Sequence, residues 1–425
     1  MYHINYIQGI CSEETELHRE IPRMKRSPDG PSSMKSVGIA YGKCKGTIKR
    51  ILGHAYYAAK LLPVLRPAGT DKDSIFVMVY SLHGGGAERV AANLANGLSE
   101  TYHVVMFCFR KKSKEYPLEE GVEKVYIPTR LYGTIEERQK MMESYVRTYK
   151  KVRKPAAAIS FMYSMNRMNV HTASGETVIC SERNYPVKRE PEHMEEIASL
   201  YREADHVVFQ SSTVRDLFDE ETASHSSIIL NPVSVSCLRK EKTARRIVNI
   251  GRLNPQKNQA MLIRAFADFH AAHSDYKLSI YGEGDLYDEL EALAESLGVS
   301  GSVILHGNVE NIHEAASDCE MFVLSSDYEG LSNALLECMM MGMPCISTRC
   351  PGSADVIQNG ENGILTDVGS EEQLSSAMAL LADNAGLRES LGRAARITAE
   401  NFRQEIITRQ WADLIGNLRR ASDDK

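Results

Sequence analysis

The sequence predicts an α/β protein built from two parallel-sheet domains, and three observations predict it. The chain has 425 residues, too many for one ordinary core. From residue 74 onward, short β-rich runs alternate with helical periods, the pattern of a parallel sheet covered by helices. The alternation runs through twice, with a polar, basic, proline-bearing segment from Asn231 to Arg245 between the two series.

The first series places strands at 74–82 (SIFVMVYSL), 103–109, 156–162, 176–182 and 206–212. The second places them at 246–253 (RIVNIGRL), 276–282, 302–307, 319–326 and 343–350. The chain therefore divides into an extension at 1–73, a first domain at 74–235, a second at 245–400 and an amphipathic terminal stretch at 401–425. In open sheets of this kind ligands gather outside the carboxyl ends of the strands, so two facing sheets create a cleft.

Composition narrows the class. The chain is 43% apolar and 25% charged, as soluble globular proteins are. A net charge of -6 gives no global sign of nucleic-acid binding. Nine scattered cysteines without a C-x-x-C indicate neither a disulfide framework nor a zinc site and favour a reducing cytosol. The amino terminus lacks a signal-peptide core, and no run of 18 apolar residues occurs. Residues 31–70 carry seven Lys or Arg and no Asp or Glu. With "HAYYAAKLLPVL" among them, they suit a helix lying on an anionic membrane surface. A poorly ordered extension, or sequence upstream of a true start at Met34, fits the same residues.

Three strand exits carry the chemistry. "SLHGGGAERV" passes through Gly84, Gly85 and Gly86 into a helix near Ala87. Glycines there allow close backbone approach, and a helix start offers free N–H groups to an anion. Glu88 and Arg89 rule out a dinucleotide fingerprint, and the Gly-Lys-Ser/Thr of a P-loop is missing. A tight βα turn is the plainer alternative. "NIGRLNPQKN" sets Arg252 and Lys257 around Pro255, two cations suited to a diphosphate, or to an ordinary solvated loop. "DYEGLSNALLE" places Glu329 before the Gly330-Leu331-Ser332-Asn333 turn and Glu337 inside the following helix. Ionised carboxylates only accept hydrogen bonds and would repel phosphate, so their targets are hydroxyls, unless both are simply solvated. Eight residues of helix would separate them by roughly 12 Å. Asp71-x-Asp73 resembles a metal-binding D-x-D but precedes the first strand, at the wrong edge of the sheet.

Taken in order, "GGGAERV", "GRLNPQKN", "YGEGDLYDEL", "LHGNVEN", "EGLSNALLE" and "GMPCISTRCPGSADVIQNGENGIL" resemble glycosyltransferase family 4, retaining enzymes of the GT-B fold. The resemblance covers residues 74–415, roughly four-fifths of the chain. It implies two facing Rossmann-like domains, with Arg252 and Lys257 holding the donor diphosphate and Glu329 contacting the donor sugar. It also implies that the amides of Gly330, Leu331, Ser332 and Asn333 meet sugar or phosphate, that Glu337 binds the ribose, and that backbone around Gly307 and Asn308 meets the base. Gly85 and Gly86 belong to the same donor site. Many members carry a histidine where this chain has Ser181-Glu182-Arg183-Asn184. A subset resembling transferases that extend polyprenyl-diphosphate-linked sugars shares the S-E-R-N element and an "SFM" strand. Ser181, Glu182 and Arg183 are accordingly acceptor-side candidates, or strand caps.

The resemblance implies transfer of a hexosyl or N-acetylhexosaminyl group, with retention and no metal or other cofactor, from a nucleoside-diphosphate sugar. The donor expected is a UDP-sugar, and the acceptor a glycan or a polyprenyl-diphosphate-linked sugar at the inner face of the cell membrane. With no evident nucleophile, front-face displacement through an oxocarbenium-like state is the expected route. The alternatives are a nucleotide-sugar epimerase of the same architecture and a non-catalytic nucleotide-sugar binding protein.

Overall fold

The computed structural model describes residues 73–128, 134–186, 191–241 and 243–423. The basic stretch at 31–70, Asp71 and most of the extension lie outside these residues. The described residues form two parallel sheets. The first contains β1 (Ser74–Ser81), β2 (His103–Arg110), β3 (Val122–Tyr126), β4 (Ala157–Phe161), β5 (Thr177–Glu182), β6 (His206–Phe209) and β7 (Ser226–Ile228). The second contains β8 (Arg246–Ile250), β9 (Lys277–Tyr281), β10 (Val303–Leu305), β11 (Met321–Leu324), β12 (Cys345–Thr348) and β13 (Ile364–Thr366).

Strand order decides where a site can form. The first sheet runs β3-β2-β1-β4-β5-β6-β7, and the second runs β10-β9-β8-β11-β12-β13. The order reverses beside β1 in one and beside β8 in the other, and a crevice opens at such a reversal outside the carboxyl ends. The crevices lie at the exits of β1 and β4 in the first domain, and of β8 and β11 in the second.

The strands are apolar on both faces because helices cover both faces. Ile75, Val77 and Val79 of β1 join one buried cluster, while Phe76 and Met78 join another. In the second sheet Ile247 and Val323 face one cluster, Val248 and Phe322 the other. This is the two-residue period of a strand expressed twice.

Two chain segments cross between the domains. Residues after β7 form the joint, where Val233 N–H donates to the Phe402 carbonyl at 2.7 Å. The helix Gln404–Asp423 then returns to the first domain. Its Ile407, Trp411 and Ile415 are buried in the same cluster as Ile75 and Val77. Asp73 pairs with Arg419 of that helix, so half of the D-x-D pattern is spent on a surface ion pair at the amino edge.

A buried polar knot stiffens the first domain behind the site. Lys150, with no exposed side-chain surface, pairs with Glu176 at 2.7 Å. It also donates to the Asn169 carbonyl at 3.0 Å and to Asn169 Oδ1 at 2.7 Å. Asn169 in turn donates to the carbonyl of Ala158 in β4 at 2.8 Å. Among the described residues no helix is long and apolar enough to cross a membrane, and all seven described cysteines are free.

Candidate active site

A cleft of about 1880 Å³ lies between the carboxyl edges of the two sheets. That exceeds the ~300–1,000 Å³ of an ordinary small-molecule pocket and leaves room for two substrates. Arg252, Lys257, Glu329 and Glu337 line it, with Gly85, Gly86, Gly307, Asn308, Gly330, Leu331, Ser332 and Asn333.

Lys257 ends a short 3-10 turn, Pro255–Lys257, capped by Asn254, whose side chain accepts from the Lys257 amide at 3.2 Å. The Lys257 carbonyl accepts from Ser325 Oγ at 2.8 Å, which ties the turn to the exit of β11. Lys257 Nζ forms an ion pair with Glu329, itself only 6% exposed. Ser326 Oγ donates to the same carboxylate at 2.8 Å, and Gln256 Nε2 reaches it at 3.5 Å. The side chain expected to take a sugar hydroxyl and the one expected to take phosphate are therefore in direct contact.

The helix Asn333–Met340 opens on the cleft with Ser332 as its N-cap, accepting from the Leu335 amide. Of the eight-residue interval between the two acids, only Asn333 onward is helical; Glu329 sits in the loop before it. The loop-then-helix order expected for the two acids is what the structure has, so they are not spaced by one continuous helical rise. The loop is held by close backbone contact: a Cβ on Gly352 would stand 2.0 Å from the Gly330 carbonyl oxygen, so the helix Pro351–Val356 packs directly beneath it.

Glu337 is 7% exposed and carries two partners that the sequence did not suggest. Arg89, from the helix Gly86–Leu98 of the first domain, forms an ion pair with it. His313 Nε2 lies 3.3 Å from its other oxygen. The Ser236 amide donates to His313 Nδ1 at 3.1 Å, which makes Nδ1 an acceptor and leaves Nε2–H to donate to Glu337. Both partners donate to the carboxylate, which as an acceptor can take further donors from the cleft. We expect Glu337→Gln to raise the donor KM about 10- to 100-fold, since hydrogen bonds to a charged group contribute about 1.5–3 kcal/mol. Steady-state kinetics at saturating acceptor would show it, and a KM within twofold of wild type would remove Glu337 from the ribose.

The first-domain wall corrects the acceptor-side expectation. Arg183 lines the cleft, but Ser181 and Glu182 are completely buried and do not. Glu182 accepts from Tyr201 Oη at 2.7 Å and from the amides of Arg183 and Asn184 at 3.0 and 2.9 Å. It caps the exit of β5. Ser181 Oγ accepts from Arg183 Nε at 2.8 Å. Burial pulls the Arg183 guanidinium down to about 9, with Glu182 working the other way, so it stays charged at neutral pH.

Glu88 and Met162 also line the cleft, a place the sequence reading did not give them. The Glu88 carboxylate folds back onto Gly85, occupying the space that a Gly85 Cβ would need. Burial raises its pKa, and the nearby Arg252 opposes the rise. Met162, at the exit of β4, holds a left-handed φ of 73° on the cleft wall. Such strain gathers at functional sites, and no sequence signal announces it.

Two facing parallel-sheet domains, with paired acids and cations at a helix start in the cleft between them, define the GT-B fold. Residues 236–398, which carry the second sheet, match the family described as glycosyl transferases group 1. It is 26% identical over 365 residues to the Campylobacter jejuni GalNAc-alpha-(1->4)-GalNAc-alpha-(1->3)-diNAcBac-PP-undecaprenol alpha-1,4-N-acetyl-D-galactosaminyltransferase, covering 82% of this chain and 99% of that one. A second Campylobacter jejuni enzyme, N-acetylgalactosamine-N,N'-diacetylbacillosaminyl-diphospho-undecaprenol 4-alpha-N-acetylgalactosaminyltransferase, is 33% identical over 164 residues, 38% of this chain and 44% of its own length. Anabaena HepE in complex with UDP and glucose superposes with a TM-score of 0.71 at 16% identity, over 81% of this chain and all of that one. Sucrose-phosphate synthase from Thermosynechococcus elongatus gives 0.72 at 15% identity, over 82% of this chain and all of that one. These likenesses establish the fold.

Proposed function

We propose that the chain transfers a hexosyl or N-acetylhexosaminyl group from a UDP-sugar to a sugar acceptor carried on a polyprenyl diphosphate, with retention at the anomeric carbon. The observation that carries this reading is the Lys257–Glu329 ion pair beside the start of the helix Asn333–Met340. It places a phosphate-seeking cation and a hydroxyl-seeking acid in contact at the reversal point of the second sheet. The C. jejuni relative matched over 99% of its length is named for extending an undecaprenyl-diphosphate-linked glycan, and HepE was crystallised with UDP. Both support the substrate classes.

Breaking the anomeric C–O bond leaves negative charge on the departing diphosphate. Lys257, Arg252 and the amides at the helix start oppose that charge, so no metal is required. Glu329 and Glu337 hold hydroxyls at either end of the donor. The acceptor hydroxyl attacks from the face the diphosphate leaves, and a leaving oxygen takes its proton. If the acceptor is lipid-linked, residues 31–70 supply an anionic-membrane contact. Flotation with anionic vesicles, with and without residues 1–70, would test that part.

Thermal stabilisation by a panel of nucleotide sugars, followed by a UDP-release assay in EDTA, tests the whole. A ligand at 100 times its Kd adds about 2.7 kcal/mol. We expect UDP-hexoses or UDP-N-acetylhexosamines to stabilise the chain and to release UDP when a lipid-linked glycan is added. An isomerised nucleotide sugar without acceptor would mean an epimerase, and stabilisation without turnover a binding protein.

A further inference from the structure

We propose that Asn231, in the joint between the domains, is a positioning residue for the transfer, coupling buried Arg183 to the amino end of the helix Asn333–Met340. This rests on reading that helix as the donor site. Asn231 is 4% exposed, and Arg183 Nη1 donates to its Oδ1 at 2.9 Å. Asn231 Nδ2 donates to Asn333 Oδ1 at 2.7 Å, and Asn333 Nδ2 reaches the Gly86 carbonyl at 3.4 Å.

The direction of this chain is forced. A guanidinium has donors only, so Asn231 must offer Arg183 its oxygen. Its NH₂ is then left for Asn333, which must offer its own oxygen and turn its NH₂ to Gly86. One buried cation thereby orients two amides and joins four segments: the exit of β5, the joint, the start of the donor helix and the glycine turn after β1. Arg183 is itself fixed. It packs over the rings of Phe161 and Trp411, with centroids at 5.5 and 5.8 Å, and also donates to the Ile229 carbonyl at 3.0 Å. Approach of the first domain to the second and orientation of the donor helix start are consequently one hydrogen-bonded event.

Asn231→Asp separates this role from a local structural one. The carboxylate can accept from Arg183 at least as well, but it has no N–H for Asn333. If Asn333 turns its NH₂ toward the carboxylate, it gives up the Gly86 carbonyl. We expect a melting temperature equal to or above wild type and a donor KM within about threefold. We expect kcat to fall about 10- to 100-fold, as misplacement of reacting groups by about 1 Å does. With UDP bound, amide hydrogen exchange should quicken in peptides spanning 83–90 and 329–337. In an Asn333→Ala background the same change should have little further effect on kcat, because the pair acts as one unit. The proposal is overturned if exchange changes only near 181–184 and 229–233, or if kcat, read as UDP release from the most stabilising UDP-sugar, stays within twofold. Should the wild-type chain release no UDP from any donor, the transferase reading fails, and the exchange data alone decide the role of Asn231.

Discussion

Replacing Lys257 with alanine should lower kcat by about 10²–10³-fold, the size of losing one preorganised donor to a developing oxyanion. The magnitude follows from two losses at one position. The departing diphosphate loses a cation whose turn is fixed by the Asn254 cap and by Ser325. Glu329, whose ion-pair partner is Lys257, becomes an uncompensated carboxylate close to phosphate and repels the charge that develops there. Because most of that charge appears in the transition state, the loss falls on kcat more than on KM. Lys257→Arg keeps the charge but not the compact ammonium, and should recover part of the rate. Wild-type kcat in a folded Lys257→Ala enzyme would refute this role.

The largest effect on stability should come from Glu176→Gln, far from the cleft. Lys150 and Glu176 have side-chain exposures of 0% and 1%. Removing one partner of a buried pair leaves an uncompensated charge and costs about 3–5 kcal/mol. Urea denaturation at pH 7 would measure it. The pH dependence supplies an independent sign. Burial holds the Lys150 ammonium below its ordinary value of 10.5, while Glu176 pushes the other way. The folded state therefore binds fewer protons than the unfolded one, and this group's penalty is full below the folded pKa and fades as pH rises toward 10.5. Without the carboxylate the folded pKa falls further, so the loss measured at pH 7 should shrink at pH 9. A loss that grew with pH would contradict the account.

How much of this was legible in the sequence depended on the range of the interaction. Most strands were marked by local apolar runs, and apart from β2 and β5 their carboxyl ends fall short of those runs. Arg252 follows the end of β8 and lines the cleft, while Ser325 and Ser326 follow the end of β11 and, buried behind it, hold the Lys257 carbonyl and the Glu329 carboxylate. β3 escaped notice because "VEKVY" mixes charges into an edge strand, and β7 and β13 because each is a three-residue edge strand containing Ser or Thr. Gly85, Gly86, Arg252, Lys257 and Glu329 were readable because each sits at a strand exit or in the loop before a helix. Their partners were not. Arg89 and Glu337 lie 248 positions apart, and nothing local in "GGGAERV" announces that its arginine crosses to the other domain. Ser181 and Glu182 failed in the opposite way: a motif suggested the acceptor, while tertiary contacts with Tyr201 and Arg183 take both side chains into the core.

The most direct test is a crystal structure with the UDP-sugar that stabilises the chain most. The account places the diphosphate on Lys257 and Arg252, the ribose diol on Glu337 and the sugar hydroxyls on Glu329. A nucleotide sugar bound elsewhere in the cleft, with both carboxylates turned to bulk water, would contradict it.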